Sequence, residues 1–370
     1  MIFDFCIPTL FGIESVVSGE LRRLGASDVG GETGRVRFRG DEYMLAKANL
    51  WSRCGERVLL ILSSFDAATF DELFDGVYNI PWEEYIPRTG EFPVSGYSRQ
   101  SALTSVPTCQ SIIKKAVSKR LGDRYRISRL PETGSTYQIR FSIVKDKAEI
   151  YFDTSGEALH KRGYRAKANE APLRETLAAA MVDFARFRGN REGDSLLDPF
   201  CGSGTIVIEA ALKAANMAPG LRRTFDAEKW EFIDKSVWRS VRDEAVSLIR
   251  HTKAPMLGSD IDEKTVTLAY SNAKKAGVDH LVKFSVADAM ELSSFKTTVV
   301  TNPPYGMRIS DGDEAEELYK SIASKLTDES ELYILSGHPA FERVFGRRAD
   351  RKRKLYNGMI PCGLFYYYRK

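Results

Sequence analysis

The 370 residues hold only four histidines, and their five cysteines, Cys6, Cys54, Cys109, Cys201 and Cys362, are scattered with no C-x-x-C pair. Neither a disulfide framework nor a zinc site is indicated, so no metal is expected, and thiols used this way suit a reducing cytoplasm. Charge of one sign is also scarce: 54 Lys and Arg stand against 50 Asp and Glu, an excess of 4, so where the cations sit matters more than their total. No apolar run approaches the roughly 20 residues of a membrane span. The opening "MIFDFCIPTLFGIES" is apolar but carries Asp4 and no basic n-region, so it reads as a first strand and not a signal peptide. These absences point to a soluble, cytoplasmic protein with room for about two to three domains.

Residues 1–50 read as a small α+β unit: a strand at "FDFCIPT", a helix at "GIESVVSGELRRLG", and a strand at "GRVRFRG" after a Gly-Gly turn. Residues 51–155 form a second α/β mixture. Its helix "SVPTCQSIIKKAVSKRLG" turns Ile112, Ile113, Ala116 and Val117 inward and leaves Lys114, Lys115, Lys119 and Arg120 toward solvent. The runs "TYQIRFSIV" and "AEIYFDT" pair as strands about a turn at "KDK". Residues 156–170, within "SGEALHKRGYRAKANEAP", lack periodicity and read as a linker. From the helix "LRETLAAAMVDFARF" to residue 370, strands and helices alternate, which argues for a parallel, doubly wound sheet.

The chemistry concentrates in that last part. "DSLLDPFCGSGTIVIEAALKAA" is a strand, a glycine-rich turn and a helix, an arrangement that lets backbone approach a ligand at a strand's carboxyl end. Gly202 and Gly204 depart from the dinucleotide G-x-G-x-x-G, and Asp198 stands where a pyrophosphate would sit. An acid there repels phosphate and welcomes an ammonium, so the ligand expected is a cationic, phosphate-free adenosine compound, S-adenosylmethionine. The strand in "APMLGSDIDEKTV" delivers Asp260 for the ribose hydroxyls, with Asp262 as a helix cap. The long gap between Asp198 and Asp260 makes residues 214–255 an insertion that leaves the sheet order intact. A third strand, "VKFSVAD", brings Asp288 toward the adenine amino group.

A fourth strand breaks off in "TTVVTNPPYGMRI". Methyl transfer is in line, so the acceptor nitrogen must be held about 3–3.5 Å from the methyl carbon with its lone pair aimed. An exocyclic amine on a base is a poor nucleophile because its lone pair is delocalised into the ring. The side-chain oxygen of Asn302 and a proline carbonyl can accept its two hydrogens, and Tyr305 can stack on the base. Pro303 and Pro304 lack N–H donors and fix the turn. A tetrapeptide of this type occurs by chance in roughly one chain in fifty of this length.

Asp198-Pro-Phe-Cys-Gly-Ser-Gly-Thr205 with Asn302-Pro-Pro-Tyr305 resembles the class I S-adenosylmethionine-dependent amino methyltransferases. More narrowly, "FDTSGEALHKRGYR", "APLRETLAAAM" and "RKLYNG" are similar to the THUMP-containing bacterial group. That group includes the large-subunit ribosomal RNA guanine-N2 methyltransferases, and its members often carry the name of N6-adenine-specific DNA methylases. The resemblance covers nearly the whole chain. It implies a ferredoxin-like domain over 1–50, a THUMP domain over 51–155, a linker over 156–170 and a Rossmann-like domain over 171–370, with a mostly parallel seven-stranded sheet and an antiparallel edge strand.

By that resemblance Asp198, Pro199, Phe200, Gly202, Ser203, Gly204 and Thr205 line the cofactor, Asp260, Ile261 and Asp288 meet its ribose and adenine, and Leu173 and Thr176 belong to a helix opening that closes over the methionine moiety from Ala171. Asn302, Pro303, Pro304 and Tyr305 hold and stack the target base. The N-terminal half grips RNA, with Lys114 and Lys115 as candidates, while Arg162, Tyr164 and Arg165 lie near the RNA entry. The basic run "RRADRKRKLYNG" offers Arg351 and Lys352 to phosphate, with Asn357-Gly358 as the turn of the closing antiparallel pair. Some relatives of this architecture carry a second, fused methyltransferase domain, which this chain is expected to lack. Guanine N2 and adenine N6 present the same two hydrogens, so adenine methylation of DNA or RNA stays open, as does an RNA-binding assembly factor with vestigial catalysis.

Overall fold

A computed structural model describes residues 1–165, 173–304 and 312–369. Two seven-stranded sheets organise them, one from each half of the chain.

The first sheet is built from β1 (Phe3–Pro8), β2 (Ser27–Glu32), β3 (Arg35–Gly40), β4 (Leu59–Asp66), β5 (Val94–Arg99), β6 (Ile139–Val144) and β7 (Lys147–Asp153), in the order β2-β3-β1-β4-β7-β6-β5. Its helices are α1 (Glu14–Leu24), α2 (Glu42–Trp51), α3 (Phe70–Tyr78) and α4 (Val106–Tyr125). Alternation decides which face they cover: Val36 and Phe38 of β3, with Phe5 and Ile7 of β1, enter the shared core, while Arg35, Arg37 and Arg39 fall on the opposite face. The first four strands with α1 and α2 form a ferredoxin-like βαββαβ unit. That unit needs its fourth strand, so it runs on to Asp66 and does not close at residue 50, which lies inside α2. β4 pairs with β1 on one side and β7 on the other, making one continuous sheet of the two N-terminal domains. Gly30 and Gly31, expected in a turn, are strand residues of β2; the chain turns at Thr33–Gly34.

The second sheet contains β8 (Leu196–Asp198), β9 (Met256–Asp260), β10 (Val282–Val286), β11 (Thr298–Thr301), β12 (Glu331–Ser336), β13 (Arg351–Asn357) and β14 (Ile360–Tyr367), in the order β10-β9-β8-β11-β12-β14-β13. Around it lie α5 (Glu175–Phe184), α6 (Thr205–Ala214), α7 (Lys235–Ser247), α8 (Glu263–Ala276), α9 (Gly312–Ser324) and α10 (Phe341–Phe345). The first five strands in that order are parallel, and β14 runs against both neighbours, so the reversed strand sits one place in from the edge. The hairpin turns through Gly358 and Met359, one residue later than expected, with Gly358 at φ 63°.

The insertion between α6 and β9 leaves β8 and β9 adjacent, as expected from the long gap between Asp198 and Asp260. It packs against the N-terminal sheet's helices and loops. Trp230 stacks on Tyr137 with ring centroids 5.4 Å apart and donates Nε1–H to the Thr136 carbonyl at 2.9 Å. Glu244 of α7 accepts from Lys47 of α2 at 3.0 Å and from the Tyr43 hydroxyl. Truncating a ring buried like Trp230 costs about 3–5 kcal/mol, so the insertion is a structural clamp between the two halves.

Candidate active site

β8, β9, β10 and β11 are neighbours and parallel, so their carboxyl-terminal loops lie side by side. β8 ends on Asp198 and the chain turns through residues 199–204 into α6. Gly204 has φ 82°, and a side chain there would stand 2.9 Å from the Phe284 ring, so only glycine permits this helix start. Gly202 also has positive φ, 52°, but an added Cβ would meet nothing within 4 Å among the described residues; its outer side is open to a ligand. The loop is pinned by Gly202 N–H donating to Asp260 Oδ2 at 3.0 Å and by Cys201 N–H donating to the Ser259 carbonyl at 2.9 Å.

Asp198 is 1% exposed. Its Oδ1 accepts from the Thr301 hydroxyl at 2.7 Å and from Phe200 N–H at 3.1 Å. Burial pushes this carboxyl up to about 7; the two hydrogen bonds restrain the rise and the neighbouring Asp260 charge adds to it. Thr301 carried no expectation from sequence. Its signal was a hydroxyl closing a run of β-branched residues just before Asn302.

Asn302 follows Thr301 directly. Its Oδ1 is shut off from solvent and has no hydrogen-bond partner among the described residues. A buried amide oxygen in that state costs about 1–3 kcal/mol, which a donor on a ligand would recover. Pro303 is buried and Pro304 half-buried. Tyr305, and Ala171 with the proline after it, fall outside the described residues.

At the second strand, Asp260 accepts Gly202 N–H on one oxygen and Asp262 N–H on the other at 3.1 Å, while Asp262 caps α8 through Lys264 N–H at 3.0 Å. An ionised carboxylate has about four acceptor positions, so Asp260 retains capacity for a ribose hydroxyl. Ile261 is 70% exposed at the rim, and Asp288 is half-buried with its Oδ1 accepting from Met290 N–H at 2.8 Å. Ser203 and Thr205 are buried with their hydroxyls 3.4 Å apart; Thr205 also accepts from Arg165. Leu173 is buried and its carbonyl accepts from Arg165 at 3.1 Å. Thr176 departs from its expected role: fully buried, it gives its hydroxyl to Glu56 of the N-terminal half at 2.6 Å.

The expected RNA entry is also corrected. Arg162 is buried and donates to the Leu159 carbonyl at 2.6 Å, to the Arg53 carbonyl, and to Glu209 at 3.4 Å. The buried Tyr164 hydroxyl donates to the same Glu209 oxygen at 3.1 Å. Arg165, with a side chain 9% exposed, faces Glu175 and Thr205. Glu209 sits inside the mostly apolar helix α6, where an isolated carboxylate would be costly; its Oε1 takes these donors, while its buried Oε2 has no hydrogen-bond partner among the described residues. They fasten the linker to the catalytic domain and do not face RNA.

Lys114 is claimed by Glu132 at 2.5 Å and sits over the Phe92 ring, whereas Lys115 is exposed. Arg351 and Lys352 are exposed on the edge strand. Lys352 pairs across β14 and β12 to the row of Thr301, three strands from β11, and faces Glu342 at 3.6 Å.

Residues 162–365 match the RMKL-like methyltransferase domain, residues 4–59 the RlmL ferredoxin-like domain and residues 67–153 the THUMP domain. YpsC of Bacillus subtilis (strain 168), which bears the provisional name of an RNA methyltransferase, is 41% identical over 97% of this chain and 94% of its own length. The ribosomal RNA large subunit methyltransferase K/L of Psychromonas ingrahamii is 36% identical over 98% of this chain and 50% of its own length, so the chain spans about half of that relative. A solved structure, SMU.472, described as a provisional methyltransferase complexed with SAH, aligns with TM-score 0.93 at 37% identity, covering 100% of this chain and 98% of the other.

Proposed function

This chain belongs to the RMKL-like methyltransferase family, and from that premise we propose that it methylates the exocyclic N2 of a guanine in large-subunit ribosomal RNA. It is an S-adenosylmethionine-dependent methyltransferase by family, and the residues present fit that cofactor: an open glycine turn, a buried acid at its root and no basic group in the loop to hold phosphate. The cofactor supplies a methyl group on a positively charged sulfur.

The observation that carries the reading is the unpartnered Asn302 Oδ1 at the end of β11, beside the glycine loop. In the proposed mechanism Asn302 Oδ1 and the Pro303 carbonyl accept the two hydrogens of the target amine. This holds the nitrogen in line and concentrates its lone pair. Asp198 faces the ammonium of the cofactor and Asp260 its ribose; Asp288 serves the adenine. The target base must leave any stack to reach Asn302, at a cost of a few kcal/mol that is least for an unpaired nucleotide. A target in a loop, bulge or opened stem follows.

The choice of RNA is supported by the THUMP domain and by the names of the relatives, and the choice of guanine N2 by the resemblance in motifs. The deciding experiment incubates the protein with labelled S-adenosylmethionine and, separately, ribosomal RNA, transfer RNA and duplex DNA, then identifies the labelled nucleoside by mass spectrometry. N2-methylguanosine from ribosomal RNA is expected. N6-methyladenine would keep the fold and the roles of Asn302 and Asp198 but overturn the substrate, and label confined to DNA would overturn RNA as well.

A further inference from the structure

The face of the N-terminal sheet opposite its helices is a concave groove of about 1100 Å³. It crosses the seam at β4, so both N-terminal domains contribute to it. The cations on its walls are Arg35, Arg37, Arg57, Arg99, Arg140 and Lys147, against Glu32, Glu56 and Glu149. Its charge is therefore positive on a protein that is nearly neutral overall.

The floor is rigid. Glu149, buried on β7, accepts from Arg35 at 2.6 Å, from Arg37 and from the Tyr151 hydroxyl at 2.7 Å. Burial alone would raise its pKa, but those three donors outweigh it and hold the carboxyl at about 2. Arg57 and Arg140 are fixed in the same way by the fully buried Asp153, at 2.5 and 2.7 Å. Four guanidinium groups are thereby locked in place, each side chain 23–30% exposed. Guanidinium planes held this way are surfaces on which unstacked bases lie.

The end of the groove on β5 differs. Tyr97 is 52% exposed there, and Arg99 and Lys147 have no ion-pair partner among the described residues. An exposed ring beside free cations stacks bases and pairs phosphates. At the other end lies Glu56, which binds Thr176 at 2.6 Å and Arg174 at 3.2 Å in the first turn of α5 and just before it. The groove therefore runs from a free aromatic and basic end to the catalytic domain.

We propose that this sheet face binds a single-stranded segment of the RNA substrate, with Tyr97 stacking on a base and Arg99 and Lys147 contacting phosphates. The proposal rests on the reading of the chain as an RNA enzyme and names the part of the RNA held outside the active site. Single strands are favoured over duplex because stacking on Tyr97 requires an unstacked base.

The test measures fluorescence anisotropy of a labelled ten-nucleotide oligouridylate, and of a duplex RNA of equal length, with the full chain. The Tyr97→Ala variant should bind the oligouridylate about 5- to 100-fold more weakly, and Tyr97→Phe should retain affinity. Arg99→Glu with Lys147→Glu should lower both affinity and salt dependence, the slope of log K against log salt falling by about 1.4 for two lost contacts. All three residues are exposed, so the melting temperature should not move. Unchanged oligouridylate affinity in these variants overturns the proposal, and so does tighter binding of the duplex. The readout does not involve methyl transfer: groove-dependent binding without ribosomal RNA methylation would sink the proposed function alone, and methylation with groove-independent binding would sink this proposal alone.

Discussion

Thr301 Oγ1 donates to Asp198 Oδ1 at 2.7 Å, joining the last residue of β11 to the last residue of β8 across 103 positions of sequence. β8 delivers the cofactor loop and β11 delivers Asn302, so one buried hydrogen bond sets the two half-sites against each other. The same bond favours the charged form of Asp198 against the burial that opposes it. Thr301→Val keeps the shape and removes the donor, which should raise the Asp198 pKa further. Cofactor affinity should then fall about 10- to 100-fold near pH 7, the usual worth of a hydrogen bond to a charged group. Calorimetric titration at pH 7 and pH 9 checks this, with the deficit shrinking at the higher pH.

Asp198 itself predicts a pH dependence. Its pKa in the folded chain is raised to about 7 from an ordinary 3.8. A group raised in the folded state contributes stability that is fully present below its unfolded pKa and is lost as pH rises through the folded value. The ligand-free protein should therefore lose melting temperature between about pH 4 and pH 7 and level off above that, and Asp198→Asn should flatten that fall. Binding a cationic ligand favours the carboxylate, so a proton should leave on binding near pH 7, seen as a dependence of the binding heat on buffer ionisation.

Asn302→Ala separates chemistry from folding. Because Oδ1 has no partner to lose among the described residues, the variant should melt at or slightly above the wild-type temperature. Methyl transfer should drop by about 10²- to 10³-fold, the scale found when one preorganised polar group at a reacting centre is removed. Cofactor affinity should stay within twofold. A destabilised variant with near-normal turnover would contradict the role given to this side chain.

What could be read from sequence follows the range of the interactions involved. The β8–α6 turn, the strand ending on Asp260 and the break at Asn302 are local patterns, and the sheet order around them obeys general rules of parallel α/β folds. The seam at β4 was not legible, because its partners β1 and β7 are remote in sequence and its run "LLILSSFD" carries no mark of which strands it joins. The linker misled for a different reason. "HKRGYR" is basic and reads as surface, yet Arg162 and Tyr164 are buried against one acid, Glu209, placed mid-way along the mostly apolar helix "TIVIEAALKA". That lone glutamate was the available signal: an acid on a buried helix calls for donors from elsewhere in the chain.

Arg162 therefore supplies the test that separates a structural cation from an RNA-binding one. Removing its guanidinium leaves Glu209 with the Tyr164 hydroxyl and removes the donors that Arg162 gives to the Leu159 and Arg53 carbonyls. Losing one partner of a buried ion pair is worth about 3–5 kcal/mol, so Arg162→Ala should lower the unfolding free energy by that amount in urea titration. A phosphate-contacting arginine would behave in the opposite way, costing little stability and reducing the salt slope of RNA binding by about 0.7 to 0.9. Arg162→Ala with Glu209→Gln discriminates further, since neutralising the acid removes most of the charge that Arg162 compensates. The double variant should recover part of the stability lost by the single one, an interaction of about 0.5–3 kcal/mol in the double-mutant cycle. An RNA contact at Arg162 would show no such coupling to a glutamate inside α6.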